Sequence, residues 1–132
     1  MKKMVAVIIV CVTLPFATVY AEGFLPNGKD CVTGMASWYS RSDRGIRKIT
    51  ANMETFCDKK NTCAVWNLPF NTIVRVTNLL NGKSIVVRVN DRGPAKHLVR
   101  KGRIIDLTKS AFSKIAAPGH GLIPIQITAL RS

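Results

Sequence analysis

Ile73-Val74-Arg75-Val76-Thr77-Asn78-Leu79 and, after a short break, Ser84-Ile85-Val86-Val87-Arg88-Val89-Asn90 decide the fold class. Both runs are rich in β-branched residues and alternate in polarity, the period of a half-buried strand. Asn81-Gly82 lies in the break, a pair that readily takes the positive φ angles of a tight hairpin. Alternation points Val74 and Val76 inward with Arg75 and Thr77 outward, and puts Ile85, Val87 and Val89 on one face of the partner strand.

Asp91-Arg92-Gly93-Pro94 stops the second run, because proline cannot continue a ladder. Beyond it Ile104-Ile105-Asp106-Leu107 reads as a short apolar strand. Thr108 is placed to cap a helix over Lys109–Ala117, whose apolar face is Ala111, Phe112 and Ile115 and whose end is Pro118-Gly119. Ile123–Leu130 alternates again as a last strand. On the other side of the hairpin, Met35-Ala36-Ser37-Trp38-Tyr39 alternates as a strand, and the charged stretch Arg41–Lys48 with Gly45 reads as a loop. Several short strands with one short helix predict a small closed barrel, which leaves no exposed edge.

The N-terminus is of a different kind. Lys2 and Lys3 precede an apolar run from Met4 to about Phe16, and Val19-Tyr20-Ala21 ends on a small residue, so residues 1–21 read as a secretory signal peptide. The apolar run is shorter than the roughly 20 residues a bilayer-spanning helix requires, and Cys11 follows Val10 rather than the small residue that lipid attachment wants. Stable membrane insertion after cleavage is therefore not expected. Residues 22–33, with Pro26, Asn27 and Gly28, read as an extended lead-in, and residues 34–132 as one domain.

Removing the signal takes Lys2 and Lys3 and lowers the formal charge from +13 to +11. So large an excess concentrates polyanions around the protein, or serves solubility alone. Nucleic acid is the usual partner of such charge, but export argues against it and favours cell-wall polymers, anionic glycans or lipid headgroups. Three cysteines survive cleavage, Cys31, Cys57 and Cys63, and in an exported protein they predict a disulfide rather than a metal site. Three single bridges are open; Cys57–Cys63, enclosing a short polar segment, is the preferred one. Zinc fails because neither His97 nor His120 stands at ligand spacing from a cysteine, and both histidines read as surface residues.

The domain has few acids. Asp91 ends an apolar strand beside Gly93-Pro94, which places its carboxylate at a barrel rim, where it either serves function or bonds its own turn. Glu54 stands between Met53 and Phe56, an apolar setting that would raise its pKa and keep it protonated, as a general acid requires. Asp106, inside a short strand, reads as structural or as a cap of the helix start.

Taken in order, Gly34-Met35-Ala36-Ser37-Trp38-Tyr39, Thr50-Ala51-Asn52-Met53-Glu54, Leu68-Pro69-Phe70-Asn71-Thr72 running into the first strand, Asn81-Gly82-Lys83-Ser84, Val86–Pro94 and Arg103-Ile104-Ile105-Asp106-Leu107-Thr108 closely resemble the rare lipoprotein A (RlpA) family over essentially Gly34–Leu130. The resemblance implies an all-β, six-stranded double-psi β-barrel with one or two short helices, related to expansin and barwin-like domains. It also implies lytic transglycosylase activity on peptidoglycan glycan strands lacking stem peptides, with no cofactor and no metal, in the periplasm, the cell envelope or outside the cell. The family's catalytic Glu falls on Glu54 and its Asp on Asp91; its His falls on Val65, which cannot exchange a proton. Asn52, Asn90 and Arg92, in the same motifs, become candidate substrate-binding residues. Two further departures are the basic stretch Lys96–Lys101 after Gly93-Pro94, a candidate holder of an anionic wall, and the cysteines that flank the Glu54–Val65 loop. The alternative to an enzyme is a non-catalytic, expansin-like wall-binding or wall-loosening module, and a secreted inhibitor or effector on the same barrel is a third reading.

Overall fold

A computed structural model describes residues 31–131. The predicted signal peptide and most of the lead-in lie outside the described residues. Six strands form the domain: β1 (Cys31–Tyr39), β2 (Thr62–Ala64), β3 (Ile73–Asn78), β4 (Ser84–Asp91), β5 (Arg103–Thr108) and β6 (Ile123–Arg131). They close in the order β1-β5-β2-β4-β3-β6. The β1–β5 and β2–β4 pairs are parallel and the other four antiparallel. Closure gives every strand two neighbours, so no ladder of unpaired amides faces water.

The interior follows from the alternation. Val74, Val76, Val87 and Val89 are at most 1% exposed and meet Ile105, Leu107, Ile125 and Ile127 in one continuous core. Burying each such side chain contributes about 1.5–3 kcal/mol. Ala111, Phe112 and Ile115 close one side of the barrel, as their spacing predicts. Thr108 caps the helix through its hydroxyl, which accepts from the Ala111 amide at 3.2 Å; Asp106 does not serve as the cap.

Four boundaries differ from the sequence expectation. The first strand starts at Cys31 rather than Gly34, because Cys31, Val32 and Thr33 already pair with Thr128, Ile127 and Gln126. The β3–β4 hairpin turns through four residues, Leu79–Gly82, closed by Gly82 N–H donating to Asn78 O and Asn78 N–H to Lys83 O, both at 2.8 Å. Within it Gly82, at φ +76°, takes the left-handed conformation. The helix after β5 is only Lys109–Ser113 (α2), shorter than expected: the amides of Asn78 and Asn81 donate to Ile115 O at 2.8 and 3.0 Å and end it there. Lys96–Val99, within the basic stretch for which no element was expected, makes one helical turn (α1).

The predicted Cys57–Cys63 bridge is absent, and both are free thiols. Cys63 lies fully buried in β2, paired with Val89 on one side and Leu107 on the other, whereas Cys57 is half-buried in the preceding loop. The β2–β4 pairing is irregular at its end. Its register steps from Cys63↔Val89 to Ala64↔Asp91, so Asn90 has no residue opposite and is buried directly after buried Val89. Such a bulge re-aims the side chains beyond it.

Candidate active site

The segment 49–55 folds back on itself through the Ile49↔Thr55 bridge, Thr50 N–H donating to Glu54 O at 2.8 Å and Met53 N–H to Thr50 O at 2.9 Å. Met53 takes φ +73° and turns its side chain out, 81% exposed. Phe56 goes the other way, buried against Tyr39 with ring centroids 4.8 Å apart. The two apolar residues that flank Glu54 in the chain therefore do not surround it.

Glu54 instead meets β4. Arg88 grips it with both terminal nitrogens, Nη1 to Oε2 at 2.7 Å and Nη2 to Oε1 at 2.8 Å. Asn52 Nδ2 donates to Oε2 at 2.8 Å and Asn90 Nδ2 to Oε1 at 3.2 Å. These hydrogen bonds, Arg88's foremost, hold the carboxyl down at about 2 against an ordinary 4.5. The expectation of a protonated Glu54 is thereby overturned: it is an anion at neutral pH. Four protein donors also fill the roughly four lone-pair positions of a carboxylate. Asn52 and Asn90, expected to bind substrate, spend their amide N–H groups on Glu54.

Asp91 sits on the other side of the same loop. Its Oδ1 accepts from the amides of Ala51 and Arg92, both at 2.9 Å, while Oδ2 has no protein donor among the described residues. Asn52 N–H donates to Asn90 O at 3.3 Å and ties the Glu54 loop to the end of β4. The two carboxylates thus bracket one five-residue turn. They do not face one space in the same way: Asp91 lines an open groove of about 350 Å³ with Tyr39, Ile46, Arg47, Ile49 and Arg92, and Glu54 does not line it.

Arg92 is committed to structure through its guanidinium, Nη1 donating to Val65 O at 3.0 Å and Leu68 O at 2.6 Å, with the group 3.9 Å from the Phe70 ring centroid. Val65 points into the main core, 6% exposed, and its N–H donates to Asp91 O at 3.2 Å. Asp106 accepts from Ser37 Oγ and pairs with Arg103 at 3.1 Å, a structural assignment. In the basic stretch, His97 is exposed and Lys96 lies 5.2 Å from the Trp66 ring centroid, whose Nε1 donates to Pro94 O at 2.6 Å. His120 is exposed too. Among the described residues no group of three or more His, Cys, Asp or Glu side chains converges as a metal would require, and no helix is long and apolar enough to cross a membrane.

Sequence reasoning missed two residues here. Arg88 was legible only as an outward position of β4, and that polar face is the signal that points to it. Tyr39 was legible only as a strand residue, yet its hydroxyl is buried without a hydrogen-bond partner among the described residues.

Comparison with known proteins agrees with this architecture. A family model described as lytic transglycolase matches residues 31–127. A relative from Campylobacter jejuni, an endolytic peptidoglycan transglycosylase RlpA, is 40% identical over 115 residues, covering 87% of this chain and 38% of its own. A probable endolytic peptidoglycan transglycosylase RlpA from Nostoc is 44% identical over 97 residues, covering 74% of this chain and 25% of its own. The chain thus spans about a quarter to two fifths of these relatives' length. Among solved structures, a Streptomyces papain inhibitor superposes with TM-score 0.62 at 22% identity, over 80% of this chain and 98% of its own. A Clavibacter michiganensis expansin does so with TM-score 0.58 at 20% identity, over 78% of this chain and 52% of its own. At such identity these two speak for the double-psi barrel alone.

Proposed function

The chain belongs to the RlpA family of double-psi β-barrel lytic transglycolases, and from that membership we propose that it is a secreted enzyme of the cell envelope that cuts peptidoglycan glycan strands and leaves 1,6-anhydro ends. The observation that carries the proposal is the pairing of Asp91 and Glu54 across one turn at the end of β4, with Asp91 open to a groove.

The reaction requires a proton for the departing glycosidic oxygen and stabilisation of positive charge at C1. Asp91 supplies the proton through Oδ2, the oxygen that the Ala51 and Arg92 amides leave free. As the C1–oxygen bond breaks, the 6-hydroxyl of the same sugar closes on C1 and returns its proton to Asp91, so no water and no second base are consumed. Glu54, ionised, paired with Arg88 and outside the groove, does not give a proton; it holds the Asn52 loop on β4 and so fixes the turn whose Ala51 amide positions Asp91. The exposed cations of Lys96–Lys101, next to Pro94, favour an anionic wall polymer.

The test is incubation of the protein lacking residues 1–21 with purified glycan strands, with and without stem peptides, and mass spectrometry for 1,6-anhydro ends. Asp91→Asn and Glu54→Gln each abolish these ends if the roles are right, and strands lacking stem peptides are cut in preference. One observation favours a second reading, a non-catalytic wall-binding module: the position matching the family's His is Val65, an aliphatic residue packed in the core. Binding without products, unaltered in both variants, selects that reading.

A further inference from the structure

Two buried side-chain polar atoms lack a partner among the described residues, Tyr39 Oη and Asn90 Oδ1, and both belong to residues around Asp91. Asn90 precedes it in β4, and Tyr39 lines the groove with it. A buried hydroxyl left unpaired is costly, and native interiors rarely tolerate one without a use. Tyr39 is 7% exposed, its ring fixed against Phe56 and its strand paired at Thr108. The phenol is thus rigidly held with a free donor.

The charged and titratable groups acting on that donor come from three strands: Asp91 of β4 most strongly, then Cys63 of β2 and Asp106 of β5, with Arg47 and Arg92 also lining the groove. Burial and these neighbours push the phenol well above its ordinary range, so it stays a neutral donor at every working pH. The bonds from Ser37 and Arg103 to Asp106 all fall on its Oδ1, and Asp106 does not line the groove; Asp91 does, beside Tyr39, with Oδ2 as its open acceptor.

We propose that Tyr39 is a positioning residue for Asp91: when a glycan fills the groove and strips water from Oδ2, the Tyr39 hydroxyl donates to that oxygen and fixes the carboxyl toward the sugar linkage. The inference rests on the proposed function and deepens it. Before binding, water serves Oδ2 and the hydroxyl has no partner among the described residues; after binding, the Tyr39 hydroxyl and Oδ2 satisfy each other.

Tyr39→Phe removes the hydroxyl and keeps the ring on Phe56. Its thermal midpoint is expected to equal or exceed that of the unsubstituted protein, since an unpaired buried donor is lost. Its affinity for denuded glycan strands, measured at 4 °C over minutes so that little is cut, is expected to fall about tenfold, the upper end of what one hydrogen bond contributes. In an Asp91→Ala background, Tyr39→Phe is expected to add no further loss, a coupling that a purely structural role would not produce. Equal affinity of Tyr39→Phe and the unsubstituted protein, additive losses in the double variant, or a midpoint several degrees lower would each overturn the inference while leaving the proposed function intact. Absence of glycan binding by the unsubstituted protein would overturn both.

Discussion

Arg88→Met tests the site where charge and fold meet. In the structure Arg88 makes two bonds to Glu54 and a third, at 3.0 Å, to Asn71 Oδ1. The Glu54 carboxyl is held at about 2 instead of 4.5. Converted in full, that difference is about 3 kcal/mol. The Glu54 side chain is 36% exposed, however, so solvent screening reduces the contribution to about 1–2 kcal/mol. The sign follows from a depressed carboxylate: the stabilisation is fully present above the ordinary value of 4.5 and drains away as pH falls from there through about 2. Arg88→Met is therefore expected to melt roughly 5–10 °C lower at pH 7, and the two melting curves are expected to converge as pH approaches the lower value. Carboxyl 13C titration is expected to show the Glu54 midpoint rising most of the way back to 4.5, Asn52 and Asn90 holding the remainder. A melting difference that persists unchanged from pH 7 down to pH 2, or a Glu54 midpoint still near 2 in the variant, would refute the account.

Val65→His places an imidazole where the resemblance to the family implies one, but into a site lined by core side chains; we expect a loss of about 1–3 kcal/mol in urea unfolding, from burial of a polar ring without a partner. An unaltered midpoint would mean that the segment after β2 can turn that side chain outward. For the thiols, Cys57 is expected to react with a disulfide reagent in the native protein. Cys63, fully buried and with its thiol pushed far up by that burial, is expected to react only on unfolding. Simultaneous protection of both, relieved by a reductant, would show a bridge after all.

The hairpin, the helix cap at Thr108 and the inward faces of β3 and β4 were legible because each depends on residues within a few positions of one another. β2 was not: Thr62-Cys63-Ala64 is too short to show a period, and its strand character comes from β4 and β5, both distant in sequence. Glu54 was misjudged for a related reason. Its chain neighbours suggested an oily pocket, but Met53 turns out to solvent and Phe56 inward, and the partner that fixes the carboxylate is 34 residues away. Asp91 was placed at the barrel rim from its strand end, a local event, although its outward turn comes from the register of β4 against β2. That Asn52, Asn90 and Arg92 serve the scaffold before any ligand is a matter of three-dimensional pairing that no motif displays.

The unmatched residue in β4 has an effect on the proposed acid, Asp91, itself. In a strand with strict alternation, position 91 would follow 85, 87 and 89 and carry its carboxylate into the aliphatic interior. Asn90 adds one step to the count, so parity flips and Asp91 emerges at the groove. Access to this carboxylate is therefore set by the register at this point rather than by side-chain identity alone. Deleting Asn90 would leave Asp91 outward, next after inward Val89, but would draw its carboxylate one residue back along β4 and remove an Nδ2 donor from Glu54, whereas exchanging the residue would leave the register standing.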